Sequence, residues 1–309
     1  MFIRQLEYIV MLAREQHFAK AALACHVSQP ALSSAIRSLE EELGITIVKR
    51  DRKFLGFTPD GEKVLGWARQ TLSMLSHMRQ EASVAHTGLS GILRIGAIPT
   101  TMPVASLVTA PCREEHPLIR FTLNSLSTEE IARQLDEYQL DVGMTYLEDR
   151  VLEGFCTQSL YMERYVLLSS NRNPVPGLVS WEVAANLPLC LLTPNMQNRR
   201  FINGAFRRVA AEPNVVLETD SLLAIYAHVA QGGLYSVIPH SLLEFFDPVE
   251  PVVVATLIPD VTRSIGLVAR NHPTLAPMAA AILETASRQK FQERFDAILQ
   301  ERLGTEIIR

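Results

Sequence analysis

The segment from Ser28 to Gly44 restricts the possible folds more than any other part of the chain. Ser28 can cap a helix, Pro30 fits a first helical turn, and Gly44 suits the left-handed position that follows a helix. Four apolar residues recur between these ends at intervals of four, three and four: Leu32, Ile36, Leu39 and Leu43. This spacing predicts a helix with one buried stripe.

The other side of this helix is predicted to be exposed, with polar residues at its N-terminal end. Two shorter amphipathic stretches, residues 6–13 and 18–23, precede it, so we expect three helices in succession. A helix-turn-helix inserts such a third helix, leading with short polar side chains, into the major groove of DNA. The candidate DNA-contacting residues are Gln29, Pro30, Ser33, Ser34 and Arg37.

A basic run follows the third helix. Residues 46–50 and 57–58 flank it and are predicted to form two short strands with a positive tip. Such a hairpin is a wing that holds backbone phosphates, since Lys and Arg neutralise phosphate charge. The candidate wing residues are Lys49, Arg50, Arg52 and Lys53. Because the net charge of the chain is −4, we expect its DNA contacts to be local.

Residues 59–87 are predicted to form one long helix, because Thr58 offers a cap and Pro59 fits the first turn. Its a/d positions hold Leu65, Ala68, Leu72, Leu75, Arg79 and Ala82, and the apolar face is widened by Val64, Trp67, Met74 and Met78. An amphipathic helix most often packs on its own chain. This one is expected to lie outside the compact domains, so we predict that dimerisation covers it. Residues 86–91 predict a hinge.

Beyond the hinge, strand-like and helical stretches alternate, which predicts an α/β fold with largely parallel sheets. Ligands of such sheets bind outside the carboxyl ends of the strands, where helix N-termini present N–H groups to anions. The candidate effector-binding residues at these places are Pro99, Thr100, Thr101, Ser125, Thr128, Thr145, Thr193 and Arg199. Each hydroxyl could instead be a helix cap, and Arg199 a solvated charge. Their number favours a site for a small carboxylate or other anion.

Residues 18–23, 27–33, 39–44 and 58–61 together closely resemble the signature of LysR-type transcriptional regulators. The resemblance implies a multidomain α+β fold with three parts: a winged helix-turn-helix at residues 1–58, a linker helix at 59–87 and an α/β effector domain at 88–309. Ser34 stands where many relatives carry Arg or Lys, so the resemblance does not predict the operator sequence.

The effector domain is expected to resemble periplasmic binding proteins, with two Rossmann-like subdomains. The resemblance implies that residues 91–162 with 269–309 form the first and residues 163–268 the second. The chain is expected to cross between them near residues 160–164 and to return near residues 267–272.

The resemblance also implies function and partners. The expected protein is an activator or repressor that binds double-stranded operator DNA as a homodimer or homotetramer and contacts RNA polymerase. Linker helices that pair antiparallel would set two winged helices on one operator. A small-molecule effector bound between the subdomains would control DNA binding and bending, and Thr100 and Thr101 match the position at which these regulators bind effectors.

Two other classes of protein stay open. The peroxide sensors of the family use a reactive cysteine pair, and Cys156 and Cys190 are the only plausible couple here, although their apolar neighbours are typical of core positions. A solute-binding protein has the same two-subdomain fold, but it requires export, and no signal peptide is recognised.

Composition argues against several further functions. No apolar run reaches the roughly 18 residues that a membrane span needs, so we expect a cytoplasmic protein with no membrane partner. The four cysteines form no CxxC pair and the eight histidines no cluster, so neither a metal site nor a catalytic group is predicted. Gly232 and Gly233 lack the GxGxxG spacing of a nucleotide-binding loop. We therefore expect no cofactor and no enzyme activity.

Overall fold

The computed structural model describes residues 1–50, 54–246, 252–271 and 275–304, with the backbone alone at residues 50 and 83–87. The chain divides into two compact units. The first contains Met1–Leu89 with Asp136–Gln139, and the second contains Ser90–Leu135 with Leu140–Arg309. Leu89 therefore ends the helical N-terminal part, and the part built on β-sheets follows.

The first unit begins with three helices and a hairpin, as the sequence predicts. Helices α1 (Ile3–Glu15), α2 (Phe18–Ala24) and α3 (Gln29–Leu43) precede strands β1 (Val48–Arg50) and β2 (Phe54–Phe57), which pair antiparallel. The helices pack around one apolar core, whose fully buried members include Ile9, Leu12, Leu32, Ile36 and Leu39. Leu43 was expected to complete the stripe, but it is exposed, because the helix ends there and Gly44 turns the chain with a φ of 67°.

Helix α4 (Pro59–Thr87) begins as predicted, with the Thr58 hydroxyl accepting a hydrogen bond from the Gly61 N–H at 2.9 Å. Leu65 and Ala68 are buried in the core that α1 also covers. This corrects the prediction that dimerisation covers both residues: the first turns of α4 lie beside α1 and bury them within their own chain. Among the side chains of α4 that the structure describes, the large apolar ones that are exposed are Trp67, Met74 and Met78.

The second unit contains an eight-stranded sheet and a separate two-stranded one. In chain order the strands are β3 (Gly91–Ala97), β4 (Ile119–Ser125), β5 (Val142–Tyr146), β6 (Cys156–Ser170), β7 (Leu178–Ser180), β8 (Leu189–Leu192), β9 (Val215–Thr219), β10 (Ser236–Pro239), β11 (Val252–Ile258) and β12 (Thr262–Ala269). The helices are α5 (Ser106–Glu115), α6 (Thr128–Asp136), α7 (Trp181–Ala185), α8 (Gln197–Arg208), α9 (Leu222–Gln231), α10 (Pro277–Ser287) and α11 (Phe291–Gly304). This alternation is the predicted α/β pattern.

The large sheet has the order β4-β3-β5-β12-β6-β11-β7, with β10 also paired to β6. Strand β3 is parallel to β4 and β5, whereas β12 is antiparallel to β5 and β6. Strands β10 and β11 are also antiparallel to β6. The sheet is therefore mixed rather than largely parallel as predicted, because β6 and β12 lie side by side in opposite directions.

Strand β6 joins the two subdomains. Its first half pairs with β12 up to Arg164, and its second half pairs with β10 and β11 from Tyr165 onwards. The return lies between β11 and β12, at residues 259–261. The predicted return at residues 267–272 is too late, because β12 is hydrogen-bonded to β5 and β6 up to Ala269, and His272 lies outside the described residues.

The last helix corrects the predicted subdomain boundary as well. Residues 269–309 were assigned to the first subdomain, but Leu299 of α11 is buried in a cluster with Val254 of β11 and Ile238 of β10. Helix α11 therefore packs on the second subdomain, while α10 packs against α5 of the first. The apolar face of α11 is buried against strands β10 and β11 of the second subdomain.

Candidate DNA interface and effector cleft

The N-terminal end of α3 presents the polar face expected of a recognition helix. Ser28 caps it by accepting a hydrogen bond from the Ala31 N–H at 3.3 Å. Of the predicted contact residues, four are exposed and Ser33 is half-buried; the exposed ones are Gln29, Pro30, Ser34 and Arg37. Because Leu32 and Ile36 hold the opposite face in the core, the polar face is free to meet a groove.

The wing is fastened directly to this helix. One carboxylate oxygen of Glu40 accepts hydrogen bonds from the N–H groups of Ile47 and Val48, at 2.8 and 3.0 Å. On the other strand, the ring of Phe54 contacts Phe18 edge-on at a centroid distance of 6.1 Å. The wing is thus packed against both α2 and α3.

The basic residues of the wing are described only in part. Lys49 is exposed on β1. Arg50 is described by its backbone, while Arg52 and Lys53 lie outside the described residues. Lys49 is therefore the predicted phosphate-binding side chain for which the structure gives an accessible position.

A cavity of ≈ 230 Å³ lies within the second unit, at the carboxyl ends of β3, β4 and β5 and at the start of α8. Its lining residues are Ile98, Pro99, Thr100, Ser125, Leu126, Ser127, Glu130, Tyr146, Leu192, Asn195, Met196, Gln197 and Asn198. Three of the predicted effector residues are among them: Pro99, Thr100 and Ser125.

Thr101 does not line the cavity. Its hydroxyl is fully buried and donates to the carbonyl oxygens of Ile98 and Met144, at 3.1 and 3.2 Å. The side chain therefore fastens the short helix after β3 to β5, and the expectation that it faces the cleft is wrong. Within the short helix Pro99–Thr101, Thr100 therefore lies in the cavity wall and Thr101 in the core.

Thr128 and Thr145 lie behind the cavity wall. Their hydroxyl oxygens are 2.6 Å apart, and Thr128 donates to the Oε1 of Gln197 at 2.5 Å. Neither residue is among those that line the cavity. They hold Gln197, which does line the cavity.

Arg199 and Thr193 are also absent from the cavity lining. The Arg199 guanidinium donates to the Leu192 carbonyl at 2.6 Å and to the Glu218 carboxylate at 2.9 Å. These contacts connect α8 to β8 and β9. The predicted cationic contact to an effector is therefore not formed by Arg199 in this arrangement.

Sequence reasoning missed the polar residues that α8 and β5 bring to the cavity. Asn198 is buried and donates from its amide nitrogen to the phenolic oxygens of Tyr146 and Tyr165, at 3.3 and 3.2 Å. Tyr146 in turn lies 3.5 Å from the Thr100 hydroxyl. The three amide side chains Asn195, Gln197 and Asn198, which follow the buried strand β8 after two residues, are the signal that could have identified this wall.

A buried carboxyl group lies next to this wall. Glu163 of β6 accepts a hydrogen bond from the Tyr165 hydroxyl at 2.9 Å, and burial raises the pKa of Glu163 to about 7. Burial likewise raises the pKa of the Tyr146 and Tyr165 phenols, and the charge of Glu163 adds to that effect. Both phenols are therefore neutral hydrogen-bonding groups at physiological pH.

None of the four cysteines is among the residues that line the cavity. Cys190 of β8 is fully buried in an apolar cluster, and burial raises the pKa of its thiol. Cys156 begins β6 and pairs with Ala269 in the first subdomain. Cys190 therefore lacks the thiolate character that a reactive cysteine needs.

Two further features concern the described residues as a whole. Within them, no three His, Cys, Asp or Glu side chains are grouped so that they could hold a metal ion. Of the helices formed by the same residues, none is both long enough and apolar enough to cross a membrane.

Comparison with known families covers both units. The family model described as "Bacterial regulatory helix-turn-helix protein, lysR family" matches residues 3–62. The model described as "LysR substrate binding domain" matches residues 86–290. Together they include the recognition helix, the wing and the residues that line the cavity.

Similar proteins extend the match to the whole chain. The DNA-binding transcriptional dual regulator OxyR of Escherichia coli (strain K12) is 30% identical over 305 residues, which cover 97% of this chain and 99% of that protein. A cysteine-to-aspartate variant of full-length OxyR from Pseudomonas aeruginosa has a TM-score of 0.75 at 26% identity, covering 95% of this chain and 97% of that one. CbnR in complex with its target DNA has a TM-score of 0.65 over 93% of this chain and 99% of that one, and its 21% identity shows the fold alone. The chain belongs to the LysR family of bacterial transcriptional regulators, in which a DNA-binding helix-turn-helix is joined to an effector-binding domain.

Proposed function

We propose that this protein is a sequence-specific regulator whose winged helix binds operator DNA and whose cavity binds a small organic anion that controls DNA binding. The observation that carries the proposal is the cavity itself, which lies at the carboxyl ends of three strands and at the N-terminus of α8. Open α/β sheets bind their ligands at this kind of position. The role is that of a regulator rather than an enzyme.

The chemistry of the cavity wall supports an anion with an apolar body. Met196 at the N-cap of α8 makes no side-chain hydrogen bond to the helix, so the first N–H groups have no side-chain cap. A 12-residue helix with such an N-terminus favours negative charge. The apolar part of the wall is formed by Ile98, Leu126, Leu192 and Met196. A small molecule with a carboxylate and an apolar body would match both the N-terminus of α8 and the apolar part of the wall.

The first unit supplies the DNA contacts. Gln29 and Ser33 are proposed to contact base edges, because their short polar side chains lie at the leading end of α3. Lys49, with Arg50, Arg52 and Lys53, is proposed to neutralise phosphates. Base contacts then determine sequence choice, and phosphate contacts contribute affinity that depends on salt.

The exposed apolar face of α4 supports assembly into a homodimer or homotetramer. Trp67, Met74 and Met78 are 68%, 50% and 59% exposed, and they follow one another at intervals of seven and four residues. That spacing forms one stripe, which a second copy of α4 would cover. Two winged helices would then bind one operator in the cytoplasm, next to RNA polymerase.

The effector would act by favouring one arrangement of the two subdomains. The cavity wall combines residues before the crossing strand, such as Thr100, with residues after it, such as Asn198. A ligand that contacts both sides binds a closed arrangement more tightly than an open one, and only this difference in affinity can shift the equilibrium. We propose that closure alters the spacing of the winged helices and the DNA bend.

A thiol-based redox sensor is the second candidate, because several relatives are described as hydrogen peroxide-inducible genes activators. The buried Cys190, with its raised pKa, favours the anion effector instead. A Cys190→Ser variant distinguishes the two. If this variant loses a response to oxidant that the wild-type protein has in cells, the thiol sensor is correct.

The proposed function is tested by calorimetric titration of the full-length protein with acetate, butyrate and benzoate, followed by DNase footprinting on the promoter nearest its own gene. We expect one carboxylate to bind and to change the length of the footprint. If a carboxylate binds but leaves footprint length and DNA bend unchanged, the coupling is wrong. If none binds, the anion proposal is wrong.

A further inference from the structure

Glu163 has an unusual position for a carboxyl group. It lies on the crossing strand β6, it is fully buried, and its Oε1 accepts the hydrogen bond from Tyr165. Its Oε2 is buried as well, and the described residues offer it no hydrogen-bond partner. An ionised carboxylate with one unpartnered buried oxygen is unfavourable, so this position favours the protonated acid.

The charged and titratable groups around Glu163 only partly offset the negative charge of its ionised carboxylate. The Tyr165 phenol supplies a hydrogen bond to Glu163, while the carboxylate of Glu148 adds like charge. Tyr161, on the same strand, directs its hydroxyl to Ser241. Arg263 of β12 is the nearby cation, and its carbon Cζ lies 3.6 Å from the ring centre of Tyr146.

Arg263 is shared with another acid. Its Nε lies 3.5 Å from a carboxylate oxygen of Glu148, so this guanidinium already has an acidic partner. The charge that would stabilise an ionised Glu163 is therefore divided between two carboxylates. This leaves Glu163 as the group in this cluster whose protonation can change near neutral pH.

A chain of hydrogen bonds leads from Glu163 to the cavity. Tyr165 donates to Glu163, Asn198 donates to Tyr165 at 3.2 Å, and the same amide nitrogen donates to Tyr146 at 3.3 Å. Tyr146 and Asn198 both line the cavity. The hydrogen-bonded side chains of Asn198 and Tyr165 thus connect the cavity to the Glu163 carboxyl group, and the charge of a ligand in the cavity disfavours a negative charge on that group.

We propose that Glu163 is a specificity-determining residue of the cavity: it takes up one proton when an anion binds there, and in its ionised form it opposes anion binding. The inference deepens the proposed function and rests on it. The proton comes from solvent, and the ionised carboxylate becomes the neutral acid as the anion enters. Glu163 acts through Tyr146, Tyr165 and Asn198, so it is a positioning residue rather than a ligand contact.

The titration behaviour of the free protein agrees with this role. Burial raises the pKa of Glu163 to about 7, and the Tyr165 hydrogen bond and the Arg263 charge limit that rise. An anion in the cavity raises the pKa further, because like charges disfavour ionisation. Anion affinity is therefore expected to be constant at acid pH and to fall by up to tenfold per pH unit above about 7.

The test is calorimetric titration of the full-length protein with acetate, butyrate and benzoate between pH 6 and pH 9. For wild type, we expect affinity to fall above pH 7, and about one proton to be taken up at pH 8, measured by comparing Tris with HEPES buffer. In Glu163→Gln, affinity should not depend on pH and should exceed that of wild type by up to about thirtyfold at pH 8.5, which is a tenfold fall per pH unit taken over 1.5 units. A gain in affinity cannot result from misfolding.

Two further variants complete the design. Glu182→Gln, an exposed acid on α7, should keep the wild-type pH dependence. Tyr165→Phe should shift the fall in affinity to higher pH, because it removes a hydrogen bond that lowers the pKa of Glu163. If wild type and Glu163→Gln bind an anion with the same pH dependence, the role of Glu163 is refuted and the proposed function survives. If neither binds any of the three carboxylates at pH 6, both are refuted.

Discussion

The amide nitrogen of Asn198 donates to the phenolic oxygen of Tyr146 at 3.3 Å, and both side chains line the cavity. The two residues belong to different subdomains, with Tyr146 on β5 and Asn198 on α8. A hydrogen bond of this kind crosses the cleft, so it forms only when the two subdomains are close together. It therefore links the contents of the cavity to the arrangement of the subdomains.

Asn198→Asp is expected to abolish binding of carboxylates. The change keeps the size of the side chain but places a negative charge in the wall, at a position that shares the hydrogen-bond partner Tyr165 with the buried Glu163. A negative charge about 4 Å from a bound anion opposes binding by about 4 kcal/mol at an effective dielectric of about 20. This corresponds to a loss of more than tenfold in affinity. Calorimetric titration measures the loss. The matched control is Asn186→Asp on the exposed end of α7, which should bind as wild type does.

Gln29→Ala and Lys49→Ala are expected to affect DNA binding differently. Loss of a base contact costs about 1–3 kcal/mol on the operator and little on random DNA. Loss of a phosphate contact weakens both and reduces the salt slope by about 1. Fluorescence anisotropy at several salt concentrations separates these effects. If Lys49→Ala changes discrimination and Gln29→Ala does not, the two roles are assigned the wrong way round.

Gly61→Ala is expected to destabilise the first unit, whereas Gly66→Ala is not. A β-carbon at Gly61 would collide with the carbonyl oxygen of Ile47, which is backbone and cannot move aside easily. At Gly66 a β-carbon meets nothing within 4 Å. Overpacking at Gly61 should lower the free energy of unfolding by about 1–3 kcal/mol or more. At Gly66, alanine should raise it by about 1 kcal/mol, because Ala is more favourable than Gly in a helix. Thermal unfolding followed by circular dichroism compares the two variants, and equal midpoints would contradict the close approach of Gly61 to the backbone of Ile47.

His240 is expected to make the second unit sensitive to acid. Burial lowers the pKa of His240 to about 4, below the value of about 6.5 in an unfolded chain. Between these values the unfolded chain binds a proton that the native protein does not, so the free energy of unfolding decreases as pH falls from about 6.5 to 4. The loss amounts to about 3 kcal/mol.

Urea unfolding of His240→Gln at pH 7 and pH 4.5 measures this contribution. The variant should be less stable than wild type at pH 7, because the Arg164 N–H donates to His240 in the wild-type protein. Its stability should then decrease less than that of wild type on acidification. The same loss in both proteins would show that His240 is not the group responsible.

The capping residues and the helix-ending glycine in the sequence correctly predicted where helices α3 and α4 begin and where α3 ends. Ser28 and Thr58 cap α3 and α4, and Gly44 ends α3, because each of these roles depends on neighbouring backbone groups alone. A cavity lies at the strand ends where the sequence predicts an effector cleft, and only some of the predicted residues line it. Thr100 lines the cavity, whereas Thr101, one residue later, turns into the core.

The remaining errors arise from contacts that are distant in the sequence. Arg199 turns towards Glu218, and Leu65 towards the core of α1, and neither partner is close in the chain. Asn198 has no motif of its own, and its role depends on Tyr146 and Tyr165, which the fold brings to it. Periodicity and capping rules describe neighbours along the chain, so they cannot identify such partners.

The most direct test of an anion-controlled oligomeric regulator is native mass spectrometry of the full-length protein as purified from its host. The account predicts a dimer or tetramer that carries a small adduct, and it predicts that the adduct is lost in Asn198→Asp while the oligomer persists. A monomer without an adduct in the wild-type protein, or an adduct that Asn198→Asp retains in full, would contradict it.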